Sequence, residues 1–392
     1  MRIGLVIEEF DPLRGGAEHW TYQHAIQLVR RGHEVHVVAG KAGAAAYRAP
    51  LQLHLWGELR SRLARAEAAA TILRRLELDV AHDIGVGWGG EIFQSEDGSR
   101  FAQWERMLPT LPPLLRPLKR GLIRVLPRYA EFRRLVGRQF RDPDRLMIAV
   151  SRMCAEDYRR YHQVTADRVR VIYHGTDIQR FSPDNRVALR APTRQALGIS
   201  DDVVLFLFVG HDFVRKGLKT VQRAVTRMFA RGESVRLGVV GEPRSRRTVR
   251  APRSADGVLH CGRVEDAAAY YAAADVFVLP TFYDPCSLSV GEAAASGLPI
   301  VTTRYNGASE LLTEGIDGHV LTDPADDIAL ERRLTALLDP DLRARMGAAA
   351  RRLAEEYPLE RNCEEILAVY DEVLRDREPL HSPGTSLSAS AP

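Results

Sequence analysis

Two carboxylates, Asp284 and Glu292, lie eight residues apart with a short polar turn, Pro285-Cys286-Ser287-Leu288-Ser289, between them. The apolar run Asp275-Val276-Phe277-Val278-Leu279-Pro280 leads in as a strand, and Ala293-Ala294-Ala295-Ser296-Gly297 continues as a helix. The pattern predicts a strand, a loop bearing one acid, and a helix whose first turn bears the second. Small residues leave the loop's N–H groups open, and the unpaired amides of a helix N-terminus favour an anion. A carboxylate for hydroxyls at each end of a ligand with phosphate in its middle is chemistry suited to a nucleotide-diphosphate sugar.

A second constellation, Val209-Gly210-His211-Asp212-Phe213-Val214-Arg215-Lys216-Gly217, follows another apolar strand. Arg215 and Lys216 stand just before a glycine that opens a helix, an arrangement suited to a diphosphate. A solvated basic turn is the plainer explanation of Arg-Lys alone. Its place at the carboxyl end of a strand, where open α/β sheets bind ligands, favours the site. Gly15 and Gly16 follow the first strand, and their bare backbone can approach a phosphate or a transferring sugar. They do not form G-x-G-x-x-G, which argues against an NAD-dependent oxidoreductase. Within residues 91–99, Glu96 and Asp97 are candidates to contact donor or acceptor, with an ordinary polar turn as the alternative. His82 and Asp83 end a strand and are candidates to face the same cleft, against a purely structural role.

Such residues need strand ends to hold them. Apolar runs at 2–7, 34–39, 79–82, 146–150 and 169–173, and again at 203–209, 235–240, 257–260, 275–279 and 299–302, alternate with helical patterns. That grammar predicts α/β architecture with parallel sheets covered by helices. A chain of 392 residues suffices for two cores. The polar, Pro-containing stretch 181–198 suits a linker between a first domain, 1–180, and a second, 199–358, and the tail 378–392 has a disordered composition. Four scattered cysteines, Cys154, Cys261, Cys286 and Cys363, form no C-x-x-C pair. They read as reduced thiols of a cytoplasmic protein, not a disulfide framework or zinc site. Glu8-Glu9 interrupts the first apolar run, unlike a signal peptide, and no run approaches the roughly 20 apolar residues that span a bilayer.

Residues 114–141 gather Arg116, Lys119, Arg120, Arg124, Arg128, Arg133, Arg134, Arg138 and Arg141 among leucines, valines and aromatics, with Glu131 the one acid. A basic amphipathic stretch of this kind reads as an element resting on an anionic membrane surface, on the inner face of the cytoplasmic membrane. A helix face binding a phosphorylated glycolipid is the alternative. Nucleic acid is disfavoured because no aromatic stacking platform accompanies the charge.

Gly210 with Arg215-Lys216-Gly217, Gly262-Arg263-Val264, the acid pair at 284 and 292, and Ala295-Ser296-Gly297-Leu298-Pro299-Ile300-Val301 together resemble the GT4 family of retaining glycosyltransferases. Arg14-Gly15-Gly16-Ala17-Glu18 and Arg31-Gly32-His33-Glu34-Val35 fit as well, so the likeness runs from residue 1 to about 375. Asp212-Phe213 ahead of Arg215-Lys216 is particularly similar to lipopolysaccharide-core glucosyltransferases that act on a heptose.

The resemblance implies a GT-B fold, two Rossmann-like domains facing across a cleft, with a C-terminal helix at about 359–377 packing back on the first. It implies that Glu292 holds the ribose hydroxyls and Asp284 the donor sugar. Arg215 and Lys216 would neutralise the diphosphate, the N–H groups around Ser287, Leu288 and Ser289 would assist, and Arg263 would lie by the base. The implied reaction is retaining transfer of a hexose, glucose from UDP-glucose, to a hydroxyl of a glycolipid or oligosaccharide. GDP-mannose or UDP-N-acetylglucosamine as donor, or a catalytically weak nucleotide-sugar binding protein, are the alternatives. No Asp-x-Asp pair with adjacent metal ligands is present, so the cations are expected to replace a divalent metal, with no cofactor. The chain departs from the family at Asp284, where Glu is more usual and one methylene longer.

Overall fold

The computed structural model describes residues 1–242, 256–264 and 266–377, so the tail 378–392 and the side chains of Arg124 and Arg128 lie outside the described set. In the first half, β1 (Arg2–Phe10), β2 (Glu34–Ala42), β3 (Gln52–Leu55), β4 (Val80–Asp83), β5 (Ile92–Gln94), β6 (Leu146–Ala149) and β7 (Val169–Val171) form one sheet in the order β3-β2-β1-β4-β5-β6-β7. In the second, β8 (Val204–Val209), β9 (Val235–Val240), β10 (Val258–Gly262), β11 (Val276–Leu279), β12 (Ile300–Thr303) and β13 (Gly318–Leu321) form another in the order β10-β9-β8-β11-β12-β13. The pairings in both sheets are parallel.

Continuous apolar runs become central strands because helices cover both faces of a parallel sheet. Leu205–Phe208 and Val276–Leu279 are accordingly buried throughout. Strand β1 runs past Glu8 and Glu9, which the sequence suggested would stop it. Their carboxylates find partners at its exposed end, Glu8 with Arg65 at 2.6 Å and Glu9 with Arg14. Strand β5 lies inside the segment expected as a cleft loop. It is three residues long, too short to show alternation.

Within the stretch expected as a linker, Asn185–Ala196 is a helix despite Pro192. Buried Arg194 donates to Ala273 O, Ser200 O and Val203 O, and pairs with Asp275 at 3.2 Å. Polar composition in this stretch thus marks a helix anchored by buried arginine.

The helix Leu359–Arg377 crosses back to the first half. Its Cys363, Ile366, Val369, Tyr370 and Val373 share a core with Ile3, Leu5, Trp20 and Val37. Asn362 accepts from Trp20 Nε1 at 3.0 Å, and Tyr370 Oη lies 3.1 Å from His24 Nε2 and 2.9 Å from His82 Nδ1. His82 is therefore buried under the crossing helix, not in a cleft. Asp83 is buried too, accepting from the N–H groups of Val86 and Gly87 and facing Arg145 at 3.5 Å. Both candidates from the first strand ends are structural.

Candidate functional site

The cleft-facing ends of β8 and β11 carry the two constellations. After β8 the chain turns through residues 210–217, and Gly217 takes φ 77° as it opens the helix Leu218–Ala230. A Cβ there would strike the Pro280 carbonyl oxygen at 2.0 Å, so glycine is required for this loop to press against the end of β11. Contact with β11 then brings the cations to the acid loop.

Lys216 Nζ lies 2.6 Å from Asp284 Oδ2 and 3.4 Å from Ser287 Oγ. Arg215 donates to the Tyr283 carbonyl at 2.8 Å and sits 3.4 Å from Asp212 and 3.9 Å from Asp284. Ser287 stands at the N-cap position of the helix Leu288–Ala295 but makes no side-chain capping bond, its hydroxyl lying 2.9 Å from that of Ser289. Burial alone pushes the Asp284 carboxyl up, but Lys216 and Arg215 outweigh it and hold the group below its ordinary value. Asp284 is therefore a fixed anion between two cations.

Glu292 lies on the second turn of the helix, since the helix begins only at Leu288. Tyr271, fully buried on the helix Ala268–Ala273, donates to Glu292 Oε2 at 2.6 Å. Burial raises the Glu292 carboxyl above its ordinary value, while the Tyr271 bond and the nearby His19, Arg180 and Lys216 pull it back. His19 belongs to the first helix, Gly16–Arg30, so both halves act on this carboxylate. Tyr271 and His19 were not singled out in the sequence. The tyrosine sits in an alanine run with no neighbouring signal, and its partner is 21 positions away.

Gly16 faces this helix across the cleft, where a Cβ on it would lie 3.4 Å from Leu288 Cδ1, while Gly15 lies against Glu18 of its own helix. Arg263 reaches over from the end of β10 and donates to the Leu13 carbonyl, holding the same glycine loop. Glu96 is largely enclosed: its two oxygens take Gln94 Nε2 at 2.6 Å and His174 Nε2 at 3.0 Å. Asp97 is exposed and paired with Arg100. Gly210 lies under the aliphatic stem of Lys216.

The acid loop is also fastened to the first half. Tyr283 Oη accepts from the Ser99 N–H at 2.8 Å and faces Asp157 at 3.3 Å, while Ser151 Oγ donates to the Pro285 carbonyl at 2.7 Å. Glu310 accepts from the Arg152 and Met153 N–H groups at 2.8 and 2.6 Å, at the N-terminus of the helix Arg152–His162. Carboxylate oxygens there meet unpaired amides and the positive end of the helix dipole.

Two parallel α/β sheets thus bring cations, a helix N-terminus and a carboxylate together at facing strand ends, an arrangement suited to an anion. Residues 204–340 match the family described as Glycosyl transferases group 1. A D-inositol 3-phosphate glycosyltransferase of Xylanimonas cellulosilytica is 30% identical over 246 residues, 59% of this chain and 58% of that protein. Another, of Geodermatophilus obscurus, is 32% identical over 221 residues, 52% of this chain and 47% of that protein. The matched stretch thus spans about half the length of these relatives.

Among solved structures, WaaG, a glycosyltransferase involved in lipopolysaccharide biosynthesis, aligns with a TM-score of 0.79 at 20% identity, over 94% of this chain and 99% of that one. Anabaena HepE in complex with UDP-glucose aligns at 0.71 and 17% identity, over 95% and 100%. At such identities the likeness establishes the fold, which is GT-B.

Proposed function

We propose that the protein is a retaining glycosyltransferase that moves a hexose from a nucleotide-diphosphate donor to a hydroxyl of a glycolipid or saccharide. The observation that carries this reading is the meeting of Arg215, Lys216 and the N-terminus of Leu288–Ala295 at one cleft-facing point. There the bond between the sugar's anomeric carbon and the diphosphate oxygen breaks, and the electron pair leaves with the diphosphate. Fixed cations and amides aimed at that oxygen stabilise the developing charge. The acceptor oxygen bonds the anomeric carbon and its proton passes to the leaving diphosphate, so no protein nucleophile is assigned. Glu292, held at one oxygen by Tyr271, presents the other to ribose hydroxyls.

Arg215 and Lys216 take the charge-neutralising part a divalent metal plays elsewhere. Treatment with EDTA is accordingly expected to leave turnover within about twofold.

UDP-glucose is the favoured donor by resemblance, and HepE holds that nucleotide sugar in its own structure. GDP-mannose and UDP-N-acetylglucosamine are the competing donors. The curated relatives are named for inositol 3-phosphate, so the likeness to heptose-directed enzymes does not fix the acceptor. Both acceptor classes have hydroxyls near an anionic group. No described helix is long and apolar enough to cross a membrane, and membrane contact is assigned instead to residues 114–141. Release of UDP or GDP from a panel of nucleotide sugars, with phosphorylated cyclitol and glycolipid acceptors, tests the reading. Binding of nucleotide sugars without product formation would leave a binding protein and refute the transferase.

A further inference from the structure

We infer that Asp284 is a positioning residue for Lys216, acting on the donor's diphosphate through the lysine and making no contact with the transferring sugar. The inference rests on the donor-site reading above and replaces the sugar-binding role that family resemblance gives this position.

The carboxylate is already enclosed by its own protein. Its Oδ2 lies 2.6 Å from Lys216 Nζ and 3.9 Å from Arg215 Nη1, and the side chain is 8% exposed. The main chain cannot bring the group forward, because the Asp284 N–H donates to the Tyr305 carbonyl and the Asp284 carbonyl accepts from Gly307, each at 2.8 Å. With the backbone anchored and a stem of one methylene, the carboxylate stays at the lysine.

Lys216 is as firmly placed. Its stem passes over Gly210, where a Cβ would lie 3.3 Å from both Cδ and Cε. A side chain at 210 would press on that stem. The seat itself is beside Ser287, the residue just before the helix Leu288–Ala295, whose first amides it leaves without a side-chain cap, so the ammonium and the helix amides converge on one anion position. A free lysine would sample many rotamers, and a buried counterion fixes one. An arriving diphosphate then meets an ammonium already oriented, and shares it with Asp284.

Titration calorimetry with UDP, GDP, UDP-glucose and GDP-mannose tests this on the full chain, using wild type, Asp284→Asn, Lys216→Met and the double variant. For whichever nucleotide binds, Asp284→Asn is expected to change affinity by about threefold or more, equally with and without the sugar attached. In the Lys216→Met background the same substitution is expected to change affinity by less than about twofold, the behaviour of a residue acting through its partner. Asp284→Glu, which keeps the charge, is expected to restore wild-type affinity for the sugar-free nucleotide. Weakening confined to the sugar nucleotides, or an Asp284→Asn effect that persists without Lys216, overturns the positioning role while the donor site stands. Failure of wild type to bind any of the four refutes the donor site itself. Melting temperatures of the variants, read alongside, exclude loss of fold as the cause.

Discussion

In the second half of the molecule the charged groups at the strand ends are enclosed and answered by one another. Lys216 meets Asp284, Arg215 meets Asp212, and Glu292 is held by a buried tyrosine. One segment of the first half displays the opposite habit. Along the helix Leu115–Val125 and its approach, Leu114, Leu118 and Val125 are 90, 59 and 73% exposed, with Lys119 and Arg120 among them. Enclosure fixes geometry for a small ligand of definite shape. Exposure of alternating apolar and basic groups suits a broad partner such as a lipid surface, where area and charge matter more than position.

The contrast is broken most forcefully at the enclosed side. Lys216→Ala or Glu292→Ala is expected to lower turnover by more than about tenfold with the melting temperature little changed, because each removes an interaction aimed at the ligand. Product formation from radiolabelled nucleotide sugar measures this. Rates near wild type in both variants would dissolve the distinction between the halves as well as the proposed site.

Much of the enclosed side was legible because it is local. Arg215-Lys216-Gly217 and residues 284–292 each follow an apolar strand within a few positions, and parallel-sheet grammar then places both at the cleft edge. What escaped is what long-range packing makes. Tyr271 has nothing around it that points to Glu292, and Tyr283 meets Ser99 across 184 positions. Polar composition misled at 185–196, where arginines that look solvated in sequence are anchored to Asp275. His82 and Asp83 were misplaced for the same reason: the helix that buries His82 begins at Leu359. The GT-B architecture itself was readable from the repeated strand–helix alternation and the family likeness.

The exposed side predicts a smaller effect of another kind. Replacing Leu114 and Leu118 with Ser, or Arg120 and Arg134 with Glu, is expected to reduce flotation with anionic vesicles by about fivefold, and to leave transfer to a water-soluble acceptor unchanged. Equal flotation of variant and wild type would remove the membrane from the account of residues 114–141. Loss of soluble turnover would instead show that the segment reaches the cleft.

A subtler probe returns to Glu292. In the proposed site it would accept ribose hydroxyls only as a carboxylate, so nucleotide affinity is expected to be lost as pH falls through its value, which burial has raised. Tyr271→Phe removes the hydrogen bond that pulls this value down. The acidic limb of a binding profile for UDP or GDP should therefore move to higher pH in the variant, with affinity near neutrality lowered by about threefold. An unmoved limb would mean that Tyr271 merely fills space.

The least effect expected concerns stability, and it sets two buried clusters apart by how each treats an ionisable group. The second half buries Asp284 charged and paired. The first half buries His24 and His82 against Tyr370, and burial brings His24 down to about 3 from 6.5, with Arg31 adding to the push, and His82 well below its ordinary value. Between those limits the unfolded chain binds protons that the folded protein refuses, so stability rises with pH and is lost on acidification from about pH 6.5 downward. His24→Gln keeps an amide able to reach the Tyr370 hydroxyl and removes one titrating site. Its melting temperature should start lower near neutrality and fall less steeply between about pH 6.5 and pH 4.5 than that of wild type. Parallel curves would show that the crossing helix owes its acid sensitivity to groups other than this histidine.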